Sequence, residues 1–516
     1  MSLKDISEEV TRRTIERTLD QFKITPENIR EGVLYFNKQM RDGLRNKSES
    51  HDYMPMIPSF ITHIPDGSET GLSLAGDLGG TNFRICSVEL NGDHTFNLEQ
   101  YKTKVEKAFM VGTSDELFGH LARQIKYFLS LHHSDYLKSN TEKIKMSFTF
   151  SFPLDQTSLN TGTLIRWTKG FNIEDAVGKD IAELFQKAID SLNLPVRIVA
   201  ITNDTVGTLL ANAYSSVSKK KTVLGAIFGT GTNGAYAEKL DNIAKLDSKT
   251  VELLKSRGID DMIINTEWGS FDNCLKFLPT TIYDEIVDSE TSNPGVHVFE
   301  KRISGMFLGE IVRLMMLDLH KRKLILQNYE QIEATLRSVP SSSNLLNLTN
   351  LPRRPNSKKL SHRILTEWNF TTENLSKIQI DDTKNLKVTE LVIQESLHLA
   401  TTFEDRIIIK EVTTAVTTRA ALLSSIAIAA VVLKTGRLGV TLDEKGVLVD
   451  THLKDDVVEV AVDGSVVEFY PGFQENIYRG LRYSQLGEDF AKKIDITITK
   501  DGSGVGAALC AGSYLE

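Results

Sequence analysis

Asp204 lies near the end of the stretch Ile198-Val199-Ala200-Ile201-Thr202-Asn203-Asp204-Thr205. The apolar residues read as a short buried strand. The polar cluster sits at its carboxyl end, where α/β sheets place chemistry. A carboxylate there could draw a proton from a hydroxyl nucleophile. It could equally cap a helix that starts at Asp204 or Thr205 and runs to Tyr214. Lys169 follows Trp167-Thr168 and could bring positive charge to a reacting group, or be solvated. Glu267 and Glu300 each follow an apolar run. Either could accept hydrogen bonds from several hydroxyls of one ligand, or serve as an edge residue in a surface ion pair.

Two stretches could hold phosphate. Residues 74–85 read Leu-Ala-Gly-Asp-Leu-Gly-Gly-Thr-Asn-Phe-Arg-Ile, apolar runs flanking a Gly-Gly turn. This predicts a β-hairpin whose tip, around Gly79, Gly80, Thr81 and Asn82, presents backbone N–H groups to an anion. An aspartate opposite a phosphate needs a cation between them, so Asp77 is expected to face Mg²⁺ or its water shell, unless it only forms the turn. Residues 223–238 repeat the pattern, with Gly229-Thr230-Gly231-Thr232-Asn233 at the tip. Two such hairpins imply two related α/β lobes facing one nucleotide.

Other motifs are excluded. Gly229-x-Gly231-x-x-Gly234 imitates a dinucleotide fingerprint, but a strand is expected after it. Gly502-x-Gly504-x-x-Ala507 lies too near the end of the chain for a βαβ unit. There is no Gly-x-x-x-x-Gly-Lys-Ser/Thr. The net charge of −8 argues against nucleic acid as a partner. Cys86, Cys274 and Cys510 have no metal spacing and fit a reducing, cytoplasmic setting. The N-terminus lacks an apolar signal core, and no membrane partner is expected.

The 516 residues exceed one core. Spacing predicts an amphipathic helix near residues 3–22, and a second from Thr25-Pro26 to about Gly43. Thr113-x-x-Glu116 is a capping box opening a helix to about Leu131. Ile144, Met146, Phe148, Phe150 and Phe152 alternate as a strand; Ile173–Leu192 is expected to be helical. Ala420–Leu433 reads as a buried core helix, too short to span a bilayer. Val457–Tyr470 is expected to carry Asp463-Gly464-Ser465 between two strands. Residues 338–361 read as a surface insertion rich in Ser, Asn, Pro, Lys and Arg.

Phe-Ser-x-Pro at 150–153 followed by Trp167-Thr168-Lys169, with the two Gly-Thr-Asn hairpins, resembles the hexokinases of the actin-like ATPase superfamily, most closely the fungal glucokinases. The resemblance covers nearly the whole chain. One departure is Ser147, where the family usually has glycine.

The resemblance implies an α/β fold of two RNase-H-like lobes around a deep cleft. The N-terminal helices of the large lobe span 1–71 and the small lobe 72–203. The large lobe continues over 204–501, and a C-terminal helix, 502–516, returns to the small lobe. It implies ATP- and Mg²⁺-dependent phosphorylation of glucose at the 6-hydroxyl, the first step of glycolysis, with Asp204 as general base and Lys169 as a second catalytic residue that brings positive charge near the transferring phosphoryl or the sugar. Ser151, Thr168, Lys169, Asn203, Asp204, Asn233, Glu267 and Glu300 would form the sugar site. Asp77, Leu78, Gly79, Gly80, Thr81, Asn82, Thr230 and Gly231 would face the phosphates, with Gly305 near the nucleotide and Gly464 and Ser465 by the adenosine. Other aldohexoses and self-association stay open. Two other classes do as well: an ATPase switch, which would not need Trp-Thr-Lys or paired acids, and a silent sugar-binding regulator, which should have lost the base or a phosphate loop.

Overall fold

The computed structural model describes residues 3–6, 8–47, 50–79, 82–138, 143–150, 152, 154–167, 170–217, 220–327, 361–443, 446–449, 452–499 and 502–512. Gly80, Thr81, Ser151, Thr168, Lys169 and nearly all of the 338–361 insertion lie outside the described residues.

Two sheets organise the chain. In the first, Thr70–Leu78 pairs antiparallel with Asn82–Asn91, which pairs antiparallel with Phe96–Lys104. On its other side Thr70–Leu78 runs parallel to Ile144–Phe150, which runs parallel to Val196–Thr202. The second sheet repeats this connectivity. Lys221–Phe228, Thr232–Lys239 and Asp261–Asn265 form the antiparallel half, and Val458–Asp463 and Ile494–Ile498 the parallel half. A short edge strand, Ile57–Pro58, pairs with Asp261–Asn265.

In each unit the fifth strand leads to a helix, and each helix packs on the other unit's sheet. Helix Asp204–Ser215 lies on Lys221–Phe228 and Thr232–Lys239, while helix Gly502–Gly512 lies on Thr70–Leu78 and Ile144–Phe150. The two helices also pack on each other. Their crossing is so close that a Cβ on Gly506 would stand 1.8 Å from the carbonyl oxygen of Gly207. Only glycine allows backbones to approach this far.

The first sheet's core is aromatic, with Phe83, Phe118, Phe128, Phe148 and Phe185 fully buried. The second is centred on helix Phe403–Thr435. Thr402 starts that helix through a capping box with Asp405, well before the apolar stretch that marks it in the sequence. It is long and apolar enough to cross a membrane, but 94% of its most apolar window is buried inside the protein. Helices Pro26–Arg45 and Phe473–Tyr483 pack on it.

Local expectations meet three corrections. Asp463 ends a strand as expected, but Ser465–Phe469 is a helix, because Gly464, at φ +117°, turns the chain out of the sheet. Ile173–Leu192 is broken: a 3-10 turn, Glu174–Ala176, precedes helix Ile181–Ser191, which Asp180 caps by accepting from Ala182 and Glu183 N–H. The strand read through Phe152 ends at Phe150. The Thr25 and Thr113 capping boxes form as their spacing predicts.

Candidate active site

Asp204 is the first residue of helix Asp204–Ser215, and the cap is Asn203. Asn203 keeps extended backbone, φ −108° and ψ 153°. Its Oδ1 therefore lies over the open turn and accepts from Thr205 N–H at 2.9 Å and Thr205 Oγ1 at 2.6 Å. The helix thus starts at Asp204, one of the two starts offered by the sequence, with the cap one residue earlier. Asp204 Oδ1 also accepts from Thr205 N–H, at 2.9 Å.

Opposite Asn203 stands a network from the second sheet. Asn233, one residue into strand Thr232–Lys239, donates from Nδ2 to Asn265 Oδ1 at 2.8 Å and to Glu267 Oε1 at 3.1 Å. The same Nδ2 lies 3.4 Å from Asn203 Oδ1. Asn265 donates from its own Nδ2 to Glu267 Oε1 at 2.8 Å. Glu267 adopts left-handed backbone, φ +50°, which is costly outside glycine. Trp268 anchors it: the indole is fully buried, stacks on Phe228, and donates from Nε1 to Thr232 Oγ1 at 2.9 Å. Glu300 reaches the same hairpin, accepting Thr232 N–H at 2.9 Å through Oε2. The structure thus brings Asn203, Asp204, Asn233, Glu267 and Glu300 together.

Asn265 and His297, which faces Glu300, belong to the same cluster without having been singled out. Asn265 ends the apolar strand Met262-Ile263-Ile264, the same signal that marks Asn203. His297 carries no such signal.

The residues expected around the nucleotide converge at the tip of the second hairpin. Gly229 N–H donates to Gly231 C=O at 3.0 Å, closing the turn, and Thr230 is exposed. Gly305, which opens helix Gly305–Lys321, donates to Gly229 C=O at 2.8 Å. Gly464 backs the turn: a Cβ there would stand 2.6 Å from Phe228 C and O. Asp463 Oδ1 accepts Gly464 N–H at 2.6 Å, and Ser465 follows as the first residue of its helix. Hairpin amides beside the start of a long helix suit an anion.

The first hairpin is tied differently. Gly79 N–H donates to Asn82 C=O at 3.1 Å. Asp77 accepts from Arg84 Nη2 at 3.0 Å across the strand pair. Leu78 is fully buried in the aromatic core, so only its backbone can reach a ligand. Nearby, Phe150, Phe152, Trp167 and Phe171 stack together, and Trp167 Nε1 donates to Ile173 C=O at 2.8 Å. This aromatic block fixes both ends of the segment that carries the Phe-Ser-x-Pro and Trp-Thr-Lys signatures.

Two duplicated α/β units with hairpins at equivalent strand ends, and an amide–carboxylate cluster between them, define a protein of the actin-like ATPase fold. Sequence models of the hexokinase family match residues 14–214 and 223–513. The chain is 43% identical to glucokinase-1 of Saccharomyces cerevisiae over 99% of both chains. It is 45% identical to the glucokinase of Aspergillus niger over 96% of this chain and 95% of that one. Among solved structures it is similar to the hexokinase from Schistosoma mansoni complexed with glucose, at 29% identity and TM-score 0.77, over 98% of this chain and all of that one. The chain belongs to the hexokinase family, and it is a hexose kinase.

Proposed function

We propose that this chain transfers the γ-phosphoryl group of MgATP to the 6-hydroxyl of glucose, with Asp204 as general base. ATP-dependent phosphorylation of glucose accords with its family and with its glucokinase relatives. The observation that carries the residue-level reading is the cluster of Asn203, Asn233, Asn265 and Glu267 beside Asp204. Fixed amides and carboxylates of this kind recognise a polyol through its hydroxyls.

Glu267 and Glu300 then accept from the sugar, with Ser151, Thr168 and Lys169 contributing from the first unit. Asp204 accepts the proton of the attacking hydroxyl. Its place at the start of the helix fixes this carboxylate, which suits a reaction catalysed mainly by positioning and charge. Thr230, Gly231 and Gly305 face the phosphates, and Gly464 and Ser465 the adenosine. Among the described residues no group of three or more His, Cys, Asp or Glu is arranged around a metal. Asp77, already paired with Arg84, is the carboxylate that would face Mg²⁺ on the nucleotide phosphates. Bound there, Mg²⁺ supplies charge neutralisation at the β- and γ-phosphates.

The small lobe is assigned to 72–203 with 502–516, and the large lobe to 1–71 with 204–501. The docking of helix Gly502–Gly512 on the first sheet supports the return of the chain. Other aldohexoses are secondary substrates in this reading, and the three free cysteines suit residence in the cytoplasm. A coupled assay over glucose, mannose, fructose and glucosamine tests the whole. Glucose 6-phosphate should form with ADP one to one. ATP hydrolysis equally fast with and without sugar would overturn the reading in favour of an ATPase switch.

A further inference from the structure

Glu300 is held from two sides. Its Oε2 accepts Thr232 N–H at 2.9 Å, and its Oε1 faces Nδ1 of His297 at 3.6 Å. His297 sits in left-handed backbone, φ +58°. Such a conformation is costly outside glycine, so the surrounding contacts must impose it. They are present. The His297 carbonyl accepts Lys301 N–H at 3.1 Å, and the next residue, Val298, donates to Asn273 Oδ1 at 3.2 Å. The ring also needs Gly269, where a Cβ would stand 3.4 Å from His297 Nδ1 and 3.3 Å from Glu300 Cβ.

The charges around this ring have a consequence for binding. Burial disfavours the imidazolium, but Glu300 and then Glu267 outweigh it, with Lys301 opposing, and the pKa is raised above its ordinary value. Lys301 is committed elsewhere: its ammonium bonds Asp288 at 2.7 Å. Two carboxylates, Glu267 and Glu300, must lie beneath one neutral sugar that removes the water screening them. Two like charges in a drying site oppose each other unless a cation stands by.

We propose that His297 is a positioning residue of the sugar site, whose imidazolium holds Glu300 and offsets the charge of the Glu267–Glu300 pair so that both accept from the sugar as carboxylates. The proposal rests on reading Glu267 and Glu300 as sugar acceptors. While His297 is protonated the trio carries one net negative charge; once it deprotonates, it carries two. Sugar affinity should therefore fall as pH rises through the His297 pKa. The Asp204 carboxylate has no part in this charge balance, so kcat should hold.

The test is KM for glucose and kcat, measured on the full-length protein from about pH 6 to 9 for wild type, His297→Gln and Glu300→Gln. Wild-type KM should rise roughly three- to tenfold across the histidine titration, with kcat changing less than about twofold. His297→Gln should show the alkaline KM at every pH, with no inflection. A flat wild-type profile would overturn the proposal without any variant. So would a His297→Gln enzyme that keeps both the low KM and the inflection. Glu300→Gln separates the two levels: an unchanged KM there would sink the sugar-acceptor reading itself. A raised KM in Glu300→Gln beside a silent His297→Gln would sink only the role of His297.

Discussion

The two units share one strand connectivity and use its equivalent positions for different work. In the first hairpin, Leu78 pairs with Phe83 and Asp77 with Arg84; in the second, Phe228 pairs with Thr232 and Ile227 with Asn233. The slot that holds an Asp–Arg ion pair in one unit therefore holds an isoleucine and a network-forming asparagine in the other. The cores differ as well. The first is a block of phenylalanines, and its ion pairs among the described residues are exposed or half-exposed. The second carries buried ion pairs, Asp284 with Arg419 and Glu310 with Arg313. Backbone pairing fixes where strand ends fall, and a few side chains decide whether an end meets phosphate, sugar or another helix. The units are joined by exchanging their last helices, so the junction is also the place where Asp204 stands.

Breaking that junction chemically should have the largest effect. Asp204→Ala is expected to lower kcat by about 10² to 10⁴ while glucose affinity moves within a modest factor, read by steady-state kinetics and calorimetry. Near wild-type kcat would reduce Asp204 to the first residue of a helix.

Next comes the buried wiring of the second unit. Burial raises the Asp284 pKa, but the bidentate Arg419 guanidinium overrides this and holds it at about 2. A carboxylate depressed in the folded state stabilises it above the ordinary carboxylate range, and this contribution is lost as pH falls towards 2. Asp284→Asn should cost ~3–5 kcal/mol at neutral pH, because it leaves Arg419 buried without a counter-charge. It should also flatten the acid limb of stability between about pH 4 and 2. Urea unfolding at several pH values measures both, and an unchanged acid limb would refute the assignment.

Gly506→Val should cost ~1–3 kcal/mol by forcing the two exchanged helices apart. A variant with unaltered thermal stability would mean that the crossing can relax.

The smallest expected effect contrasts the hairpins directly. The sequence places Gly231 on the nucleotide side alone, but the structure brings Glu300 Oε2 to 2.7 Å from where its Cβ would be. Gly231→Ala should therefore weaken glucose and ATP binding together, each about tenfold, or ~1.4 kcal/mol. At Gly79 the nearest described atom to a Cβ is Asn82 O at 3.9 Å, and Gly79→Ala should change either affinity less than about twofold. Equal responses would erase the asymmetry between the hairpins.

Much of this protein is legible in short windows of sequence, because the physics there is local. The alternation of Ile144 to Phe152, the Thr25 and Thr113 capping boxes and the strand-end cluster at Thr202–Thr205 are set by residues within four positions of one another. Hexokinase membership is written in two short signatures and a repeated hairpin. Where the local signal is ambiguous, the reading slips: Ser465–Phe469 has strand-like residues, but Gly464 packed on Phe228 ends the strand. What only the tertiary structure decided depends on contacts between distant residues. Asn203 meets Asn233, Asn265 joins Glu267 under Asn233, and Glu300 bonds an amide 68 residues away. Spacing along the chain carries no record of these meetings, since strand order and the helix exchange create them. His297 lies only three residues before Glu300, but that spacing by itself assigns it no role; its left-handed backbone and the packing of Gly269 against both side chains come from the fold.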